Sequence, residues 1–570
     1  MRFWSKRIAA WRLWMLLWEE RQMYEIIGKG LDFLSLLLLT LLLFWDYTYY
    51  LHIFQLNSYF PERYQRWKAQ NKEMLSRKFP IGFRLGLIVL GAAAFGLQGL
   101  QGRIVGVWPL KLVFFLWALI SLAFRFKNRE RAKKPLVYTH RIYRLYGAML
   151  LLLLLTEAVL WWILRLFWQR PAEALGMGSE IAKIVFIFAA YFLPLAANYM
   201  LMPLEKYFKQ KYYRQAQAIL AGQPELIRIG ITGSYGKTST KFVLENVLKQ
   251  QYLTLVTPHS YNTTLGVVRT LREYFSGQVE AFVAEMGAKQ PGDIREICDL
   301  VRPQVAVITA VGPQHLETFG TIDRVIATKF ELAEAVGKSG VVIVNADDAN
   351  IVLGMERYPA VNYLTYGEAE EADVRISDIR VSVQGSSFTV TYRGESRSYQ
   401  TRLLGQHNIS NLTAGIAAGL YLGIAPEKID IGIRETQPVE HRLELKAQGD
   451  YYILDDAFNA NPVGANNALE VLKSFEGGKR FIMTPGMVEL GSEDEQIHFD
   501  FGRHMADCAD AVILVGAKKT EKIKEGLLSA GFPEDAIFVV KDVFAGFAKV
   551  REIIGRGDVL LIENDLPDNY

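Results

Sequence analysis

A glycine-rich segment, TGSYGKTST, follows a short apolar run and precedes a stretch of helix-forming residues. The pattern predicts a strand over residues 226–232 and a helix over 240–250, with the glycine turn between them. Such a turn allows backbone N–H groups to surround phosphate oxygens, and the helix N-terminus adds a partial positive charge. Lys237 can reach the β- and γ-phosphates, and Thr238 offers a hydroxyl to Mg²⁺. The predicted nucleotide-binding residues are Gly233, Ser234, Tyr235, Gly236, Lys237, Thr238 and Ser239.

The match to the common phosphate-loop pattern GxxxxGK[ST] is incomplete, because Ile231 occupies the first glycine position. A plain turn between a strand and a helix is therefore the alternative. The predicted strand before the loop and the predicted helix after it favour nucleotide binding.

Polar side chains also follow other predicted strands. Glu285 and His315 come after apolar runs, where a carboxylate or an imidazole can bind a divalent cation. Asn345 and Asp347 close another strand, at the edge where α/β sheets place ligand contacts. Each residue alone is also consistent with a solvated strand end or a simple turn.

The loop resembles the phosphate loop of the Mur ligases, the ATP-dependent amide-forming enzymes of peptidoglycan synthesis. Further matches follow in the family's order over residues 226–563: YNTTLG, AEMGA, QHLETFG, ATKFEL, VNADD, LLGQHNISN, HRLE, DDAFNANP and PGMVELG. TGSYGKTS, DDAFNANP and MVELG are most similar to the branch of the family that adds D-alanyl-D-alanine. Several matches in the same order are far more specific than any one of them.

The resemblance implies that ATP phosphorylates a carboxylate and that an amine then attacks the acyl phosphate. It implies two Mg²⁺ ions that neutralise phosphate charge. The implied metal ligands are Thr238, Glu285, His315 and Lys329, the lysine being carbamylated by CO₂, with Asn262 a further polar candidate. The implied catalytic residues are Lys237, Lys329, His315, Glu285 and Arg442.

The resemblance also assigns residues to the rest of the nucleotide. The implied contacts are Asn345, then His407, Asn408 and Asn411 at the base, Arg442 at a phosphate across the cleft, Asp456 near the ribose, and Asn459 and Asn461 at the domain junction. Helix capping by Asn408 and turn formation by the Asp and Asn residues are the alternatives. Glu489 and His498 are candidates for the amine side, although a surface role is favoured for both.

Two features depart from the family pattern. Membrane-like segments stand in place of the domain that binds the UDP-sugar peptide, so the acceptor stays open between a UDP-muramoyl peptide and a lipid-linked one. The branch named above usually has a Lys-Gly-Ser-Arg turn after its final strand, whereas here DVLLI is followed by ENDLPDNY. The amine therefore stays open between an amino acid and a dipeptide.

Long apolar runs occupy the first third of the chain. A membrane-spanning helix needs about 20 apolar residues, and the qualifying runs are 31–51, 81–100, 104–124, 147–167 and 181–204. Basic residues in the 52–80 and 125–146 loops predict that these loops, and everything after residue 204, are cytoplasmic. Five spans would place the basic residues within 1–30 on the outside, which conflicts with this rule. Insertion of the amphipathic segment IAAWRLWMLLW would give six spans and remove the conflict.

The overall composition excludes several classes of protein. Among 570 residues the net charge is +4 and 51% are apolar, which argues against nucleic-acid binding by overall charge and against disorder. Two cysteines exclude a multi-disulfide scaffold. The predicted organisation is an α-helical membrane region followed by α/β domains. The membrane region consists of an interfacial segment over 1–30, about five transmembrane helices over 31–204 and a juxtamembrane linker helix over 205–225. The α/β part consists of a central P-loop ATP-binding domain over 226–435, with an antiparallel layer at 372–402, and a Rossmann-like domain over 436–570.

The sequence therefore predicts a bacterial, multi-pass plasma-membrane enzyme that joins a carboxylate to an amine with ATP and Mg²⁺ on the cytoplasmic side. A poly-γ-glutamate-type synthase is a second possible enzyme function. An ATP-driven transporter is a third, although no LSGGQ-like signature occurs in the sequence. A non-catalytic scaffold is the remaining alternative.

Overall fold

A computed structural model describes residues 2–57, 59–72, 82, 85–86, 89–90, 108–127, 135–167, 181–187, 189–313, 316–382, 385–457, 462–488, 490 and 493–564. The chain divides into two compact units, the first reaching Tyr207 and the second covering Phe208–Leu566. Each unit is described by itself below.

The first unit is helical. Its main described helices are Arg2–Leu56, Pro61–Gln70, Trp108–Lys127, His140–Phe167 and Leu193–Ala221, the last of which contains the boundary between the units. Within the described residues, Phe33–Leu56 and His140–Leu166 are long and apolar enough to cross a membrane by length and composition. Residues 2–56 form one continuous helix, where the sequence predicted an interfacial segment followed by a separate span.

The other predicted spans have different outcomes. The run 81–100 lies mostly outside the described residues. The run 104–124 corresponds to the helix Trp108–Lys127. The run 181–204 is not one helix, because turn residues at 189–192 precede a second helix. Pro194 stands in the first turn of that second helix, where a missing N–H is tolerated.

Several ion pairs join helices within the first unit. Asp46 and Arg125 are both buried, and the guanidinium binds the carboxylate through two contacts of 2.7 and 2.9 Å. Lys183 Nζ lies 2.7 Å from Glu157 Oε1. Paired charges of this kind are the form in which ionised groups are tolerated in an apolar helical layer.

The second unit begins with a nine-stranded sheet. Its strands are β1 Ile227–Thr232, β2 Thr254–Val256, β3 Ala281–Glu285, β4 Val305–Ile308, β5 Val341–Asn345, β6 Tyr363–Gly367, β7 Val374–Ser382, β8 Gly385–Tyr392 and β9 Glu395–Thr401. The order is β2-β3-β1-β4-β5-β6-β7-β8-β9, parallel through β7 and antiparallel from β7 to β9. Strands such as VAVI are buried on both faces, as parallel strands covered by helices must be.

Helices connect and cover these strands. They are Lys237–Leu248, Thr264–Tyr274, Asp293–Val301, Leu316–Phe319, Ile322–Val336, Ala349–Arg357, Gln406–Tyr421 and Pro426–Glu435. The alternation of strand and helix and the antiparallel layer at 372–402 are confirmed. The parallel order places the carboxyl ends of β1, β3, β4 and β5 along one edge, where ligands bind in such sheets.

A six-stranded sheet follows. Its strands are β10 Glu444–Gln448, β11 Tyr451–Asp456, β12 Arg480–Thr484, β13 Ala511–Val515, β14 Ile537–Val540 and β15 Val559–Glu563, in the order β10-β11-β15-β12-β13-β14. All neighbours are parallel except β10 and β11. Its helices are Pro462–Lys473, Asp494–Cys508, Glu521–Ser529 and Val543–Ile553. The two cysteines, Cys298 and Cys508, are buried in different helices of the second unit.

Candidate active site

The glycine-rich loop connects β1 to the following helix in a fixed conformation. Gly233 and Gly236 have positive φ values of 153° and 78°, and a Cβ added at Gly236 would lie 2.5 Å from Asn411 Oδ1. Other residue types would be strained there and would also collide with their neighbours. The Ser234 N–H donates to Ala310 O at 2.7 Å, which ties the loop to the chain after β4. The loop thus presents backbone N–H groups at a helix N-terminus, as phosphate binding requires.

Lys237 is the first residue of that helix, and its ammonium group folds back over the loop. Nζ donates to Gly233 O at 2.6 Å and to Ser234 O at 3.0 Å. Burial lowers the pKa of Lys237 to about 8, the negative charge of Glu285 opposes this effect, and the positive charge of Arg442 adds to it. The ammonium group is therefore held beside the loop by carbonyl oxygens.

Glu285, the last residue of β3, is the centre of the polar groups next to the loop. The residue is 1% exposed. Thr238 Oγ1 lies 3.1 Å from both carboxylate oxygens, and Asn262 Nδ2 donates to Oε1 at 3.2 Å. Carboxylate and hydroxyl oxygens are preferred ligands of Mg²⁺. Glu285 and Thr238 therefore fit a magnesium site beside the phosphates.

Lys241 belongs to this cluster and was not predicted. It follows Lys237 by one helical turn, is buried, and places Nζ 3.1 Å from Glu285 Oε2. The same Nζ also donates to His259 O. A buried ion pair is tolerated when both charges have further hydrogen bonds, and the contacts of Glu285 satisfy that condition. The signal in the sequence was the i, i+4 spacing of two lysines, which places them on one helix face.

Lys329 lies in the middle of the helix Ile322–Val336, whereas the motif ATKFEL predicted the start of a helix. The residue is 3% exposed, so it is not a solvated lysine on the helix surface. No hydrogen bond or ion pair to its Nζ occurs within the described part of the chain. Burial lowers the pKa of Lys329 well below its usual value, and the charge of Lys237 adds to that effect. Burial therefore favours the neutral amine of this lysine.

Arg442 comes from the segment before β10. The residues on either side, His441 and Leu443, have φ values of 60° and 49°, an uncommon backbone for residues other than glycine. The Leu443 N–H donates to Asp456 Oδ1 at 2.9 Å and so helps to fix the segment. Burial lowers the pKa of the Arg442 guanidinium, while the charges of Glu285 and Asp456 oppose this shift. Arg442 thus interacts with acidic groups from both sheets.

Two carboxyl groups end neighbouring strands of the second sheet. Asp456 on β11 and Glu563 on β15 are partners in parallel register. Glu563 is fully buried, and neither of its carboxylate oxygens has a hydrogen-bond partner in the described ranges. Burial raises the pKa of Asp456, and burial together with the charge of Asp456 raises the pKa of Glu563 well above its usual value. Glu563 was not singled out as a site residue in the sequence.

Residues predicted at the nucleotide base lie at the start of the helix Gln406–Tyr421. Asn411 Oδ1 accepts a hydrogen bond from Thr240 Oγ1 at 3.1 Å, which links this helix to the helix after the loop. The Nδ1 atom of His407 is buried and has no partner among the residues described. Burial lowers the pKa of His407 to about 4, so the imidazole is neutral at physiological pH.

Asn408 and Asn345 make local contacts. Asn408 Nδ2 donates to Leu404 O at 2.8 Å and does not cap the helix, whose first flanking residue is Gly405. Asn345 Nδ2 lies 3.4 Å from Ser410 Oγ. The Asn345 side chain therefore helps to join β5 to this helix, whereas Asn408 contacts the turn before its own helix.

Several predicted residues lie outside the described part of the chain: His315, Asn459, Asn461 and Glu489. The surface role favoured for His498 is wrong, because the residue is 3% exposed. Its Nε2 accepts the Met487 N–H at 2.9 Å and its Nδ1 donates to Asp494 O at 2.9 Å. Nε2 thus holds the loop after β12, whereas Nδ1 contacts the first turn of the helix Asp494–Cys508.

Comparison with known families matches both α/β domains. The Mur ligase middle domain matches residues 231–419, and the Mur ligase glutamate ligase domain matches residues 441–563. The chain is 32% identical over 338 residues to UDP-N-acetylmuramoyl-tripeptide--D-alanyl-D-alanine ligase of Bacillus subtilis, covering 59% of this chain and 72% of that protein. It is 29% identical over 344 residues to the Escherichia coli protein of the same name, with coverage of 59% and 72%.

Solved structures give the same result. MurF from Acinetobacter baumannii aligns with a TM-score of 0.57 and 26% identity, over 64% of this chain and 78% of that one. MurF ligase from Thermotoga maritima in complex with ADP aligns with a TM-score of 0.57 and 25% identity, over 63% and 80%.

Proposed function

Because this chain belongs to the Mur ligase family, whose members are ATP-dependent ligases that form amide bonds, we propose that it joins a carboxylate of a cell-wall precursor to an amine through an acyl phosphate. The observation that carries the proposal is the cluster around Glu285. Thr238 binds that carboxylate directly, and the charges of Lys237 and Arg442 interact with it. One cluster thus combines a phosphate loop, a metal-binding carboxylate and an arginine from the next domain.

Phosphoryl transfer requires mostly the positioning of its reactants and the neutralisation of their negative charge. We propose that Lys237 and the loop N–H groups bind the phosphates of ATP, and that Arg442 adds a positive charge from the opposite side. His407, Asn408, Asn411 and Asn345 form the nucleotide-base side of the site.

Mg²⁺ is a cofactor of this family, and the donor set around Glu285 suits it. Glu285 and Thr238 would hold one ion, and His315 with carbamylated Lys329 would hold a second. The bound ions would neutralise charge on the phosphates. The depth and lack of partners of the Lys329 amine support its carbamylation, because the neutral amine is the form that reacts with CO₂.

The substrates are proposed from the names of the relatives. Those proteins are named for a UDP-N-acetylmuramoyl-tripeptide acceptor and a D-alanyl-D-alanine amine. For this chain we propose a muramoyl peptide, either lipid-linked or carried by UDP, and an amino acid or dipeptide as the amine.

Purified protein in detergent, supplied with MgATP, tests this proposal. The acceptors are UDP-muramoyl-tripeptide and a lipid-linked muropeptide, and the amines are D-alanyl-D-alanine and the common amino acids. We expect one acceptor–amine pair to raise phosphate release at least about tenfold and to give an amide product detectable by mass spectrometry. Turnover with glutamate alone would favour the poly-γ-glutamate-type reading. ATP hydrolysis without any amide product would contradict the ligase proposal.

We also propose that the first unit anchors the enzyme in the bacterial plasma membrane as a multi-pass region, with the α/β domains in the cytoplasm. The two apolar helices Phe33–Leu56 and His140–Leu166 and the basic loops support this arrangement. The full chain is expected to stay in the membrane pellet after an alkaline carbonate wash. Protease added to sealed inside-out vesicles is expected to digest the α/β domains. Release of intact protein by the wash would contradict a membrane-spanning region.

A further inference from the structure

Glu563 carries a carboxyl group that the proposed chemistry leaves without a role. It is the last residue of β15, is fully buried, and has no hydrogen-bond partner for either oxygen among the described residues. Buried polar groups in folded proteins nearly always have a partner, and an exception calls for an explanation. A ligand that supplies the missing partner is one explanation.

The surroundings of Glu563 indicate the charge of such a ligand. Its register partner Asp456 is a second carboxyl group, and Asp456 Oδ1 accepts the Leu443 N–H. Asn564, the next residue, donates to Gly486 O at 2.6 Å and so uses its amide elsewhere. Two acidic groups side by side favour a cationic ligand, because a cation satisfies both carboxylates.

Arg442 connects this acidic pair to the phosphate loop. Its guanidinium interacts with the charges of both Asp456 and Glu285, and it also influences Lys237. Asp456 Oδ1 also accepts the N–H of Leu443, the residue that follows Arg442, so the pair at the ends of β11 and β15 lies beside the Arg442 segment. A cation delivered to this position by the reaction is the protonated amine substrate.

We propose that Glu563 binds the ammonium group of the incoming amine and accepts its proton, an assignment that rests on the proposed ligase function. A protonated amine has no lone pair and cannot attack, so one proton must leave before the N–C bond forms. The ammonium group transfers that proton to the Glu563 carboxylate. The amine nitrogen then bonds to the acyl carbon, the C–O bond to phosphate breaks, and the second N–H proton leaves with the phosphate as HPO₄²⁻.

The protonation of Glu563 before and after the reaction is consistent with this proton transfer. Burial and Asp456 favour the protonated form of Glu563 when no cation is present. Binding of an ammonium group would release that proton to water, and the chemical step would return one. The enzyme thus ends the reaction in the state in which it began.

Glu563→Gln removes the charge and keeps the shape, so the fold is expected to persist. The test uses the amine with the highest kcat/KM in the panel of D-alanyl-D-alanine and the common amino acids. We expect kcat/KM for that amine to fall about 100-fold, the lower range for loss of a general base. Trapping of the acyl phosphate with hydroxylamine and the KM for ATP are expected to change less than about twofold, because neither requires the amine.

Calorimetry supplies a second readout. Titration of the amine into protein loaded with MgADP, in buffers of different ionisation enthalpy, is expected to show release of about one proton for the wild type and none for Glu563→Gln. Glu552→Gln, an exposed position paired only with Lys549 in the described structure, is the matched control and should behave as the wild type.

The outcomes separate this proposal from the one on which it rests. If the wild type forms no hydroxamate with any acceptor, the ligase function fails. If the hydroxamate forms but Glu563→Gln leaves amine kinetics unchanged, the assignment of Glu563 is overturned. A raised KM for ATP with an unchanged KM for the amine would overturn it too, and would favour the ribose contact that the resemblance implies for Asp456.

Discussion

Replacement of Lys237 by alanine is expected to lower ATP-dependent ligation about 1000-fold. Lys237 is the only basic side chain of the loop, and we propose that it binds the phosphates; loss of one preorganised donor commonly costs a factor of 10² to 10³. The measurement is phosphate release under single-turnover conditions, together with the binding of a fluorescent ATP analogue.

The fold should survive this change, because among the described residues Lys237 donates only to two carbonyl oxygens of its own loop. Lys249→Ala is the matched control. Lys249 follows the same helix and forms an exposed ion pair with Glu435, so its loss should leave activity within about twofold of the wild type. Retention of more than a tenth of the activity by Lys237→Ala would contradict the phosphate-binding role.

Replacement of Lys329 by methionine is expected to lower the ligation activity without lowering the stability of the fold. Methionine is apolar and of similar length, and Lys329 has no described partner to lose, so the midpoint of thermal unfolding should stay the same or rise. Ligation should fall at least about 100-fold if the carbamylated lysine holds a metal ion. The measurements are calorimetric unfolding and ligase assays on the same preparations.

The carbamate itself is tested by ¹³C NMR after equilibration with ¹³C-bicarbonate. The wild type is expected to show a carbamate signal that Lys329→Met lacks. Lys338→Met, at an exposed lysine after the same helix, is the control and should retain both the signal and the activity. Full activity of Lys329→Met would exclude a metal-binding role for this position.

The α/β fold could be predicted because its strands are dense apolar runs between helical patterns. β10 gives little signal in the sequence, because ELKAQ is polar and short and is held in place by antiparallel pairing with β11. The continuity of the helix Arg2–Leu56 was missed for another reason. The predicted boundary at residue 30 followed a change in apolar content, but the segment contains no proline to end a helix.

The candidate site was predictable where a local motif carries it, as in the loop and at Glu285. It was not predictable where burial decides the chemistry. Lys241 and Glu563 are charged residue types that in sequence resemble exposed side chains, and Lys329 was assigned to the site only through the family resemblance. Only the tertiary packing shows that Lys241 is paired with Glu285 and that Lys329 and Glu563 are buried without a described partner.

The two cysteines have a practical consequence. Cys298 lies in a helix beside the nine-stranded sheet and Cys508 in a helix beside the six-stranded sheet. Burial raises the pKa of Cys298 to about 12 and that of Cys508 to about 11, which suppresses the reactive thiolate in the folded state. Each α/β domain therefore carries one natural thiol probe, whose alkylation would report the transient opening of that domain alone.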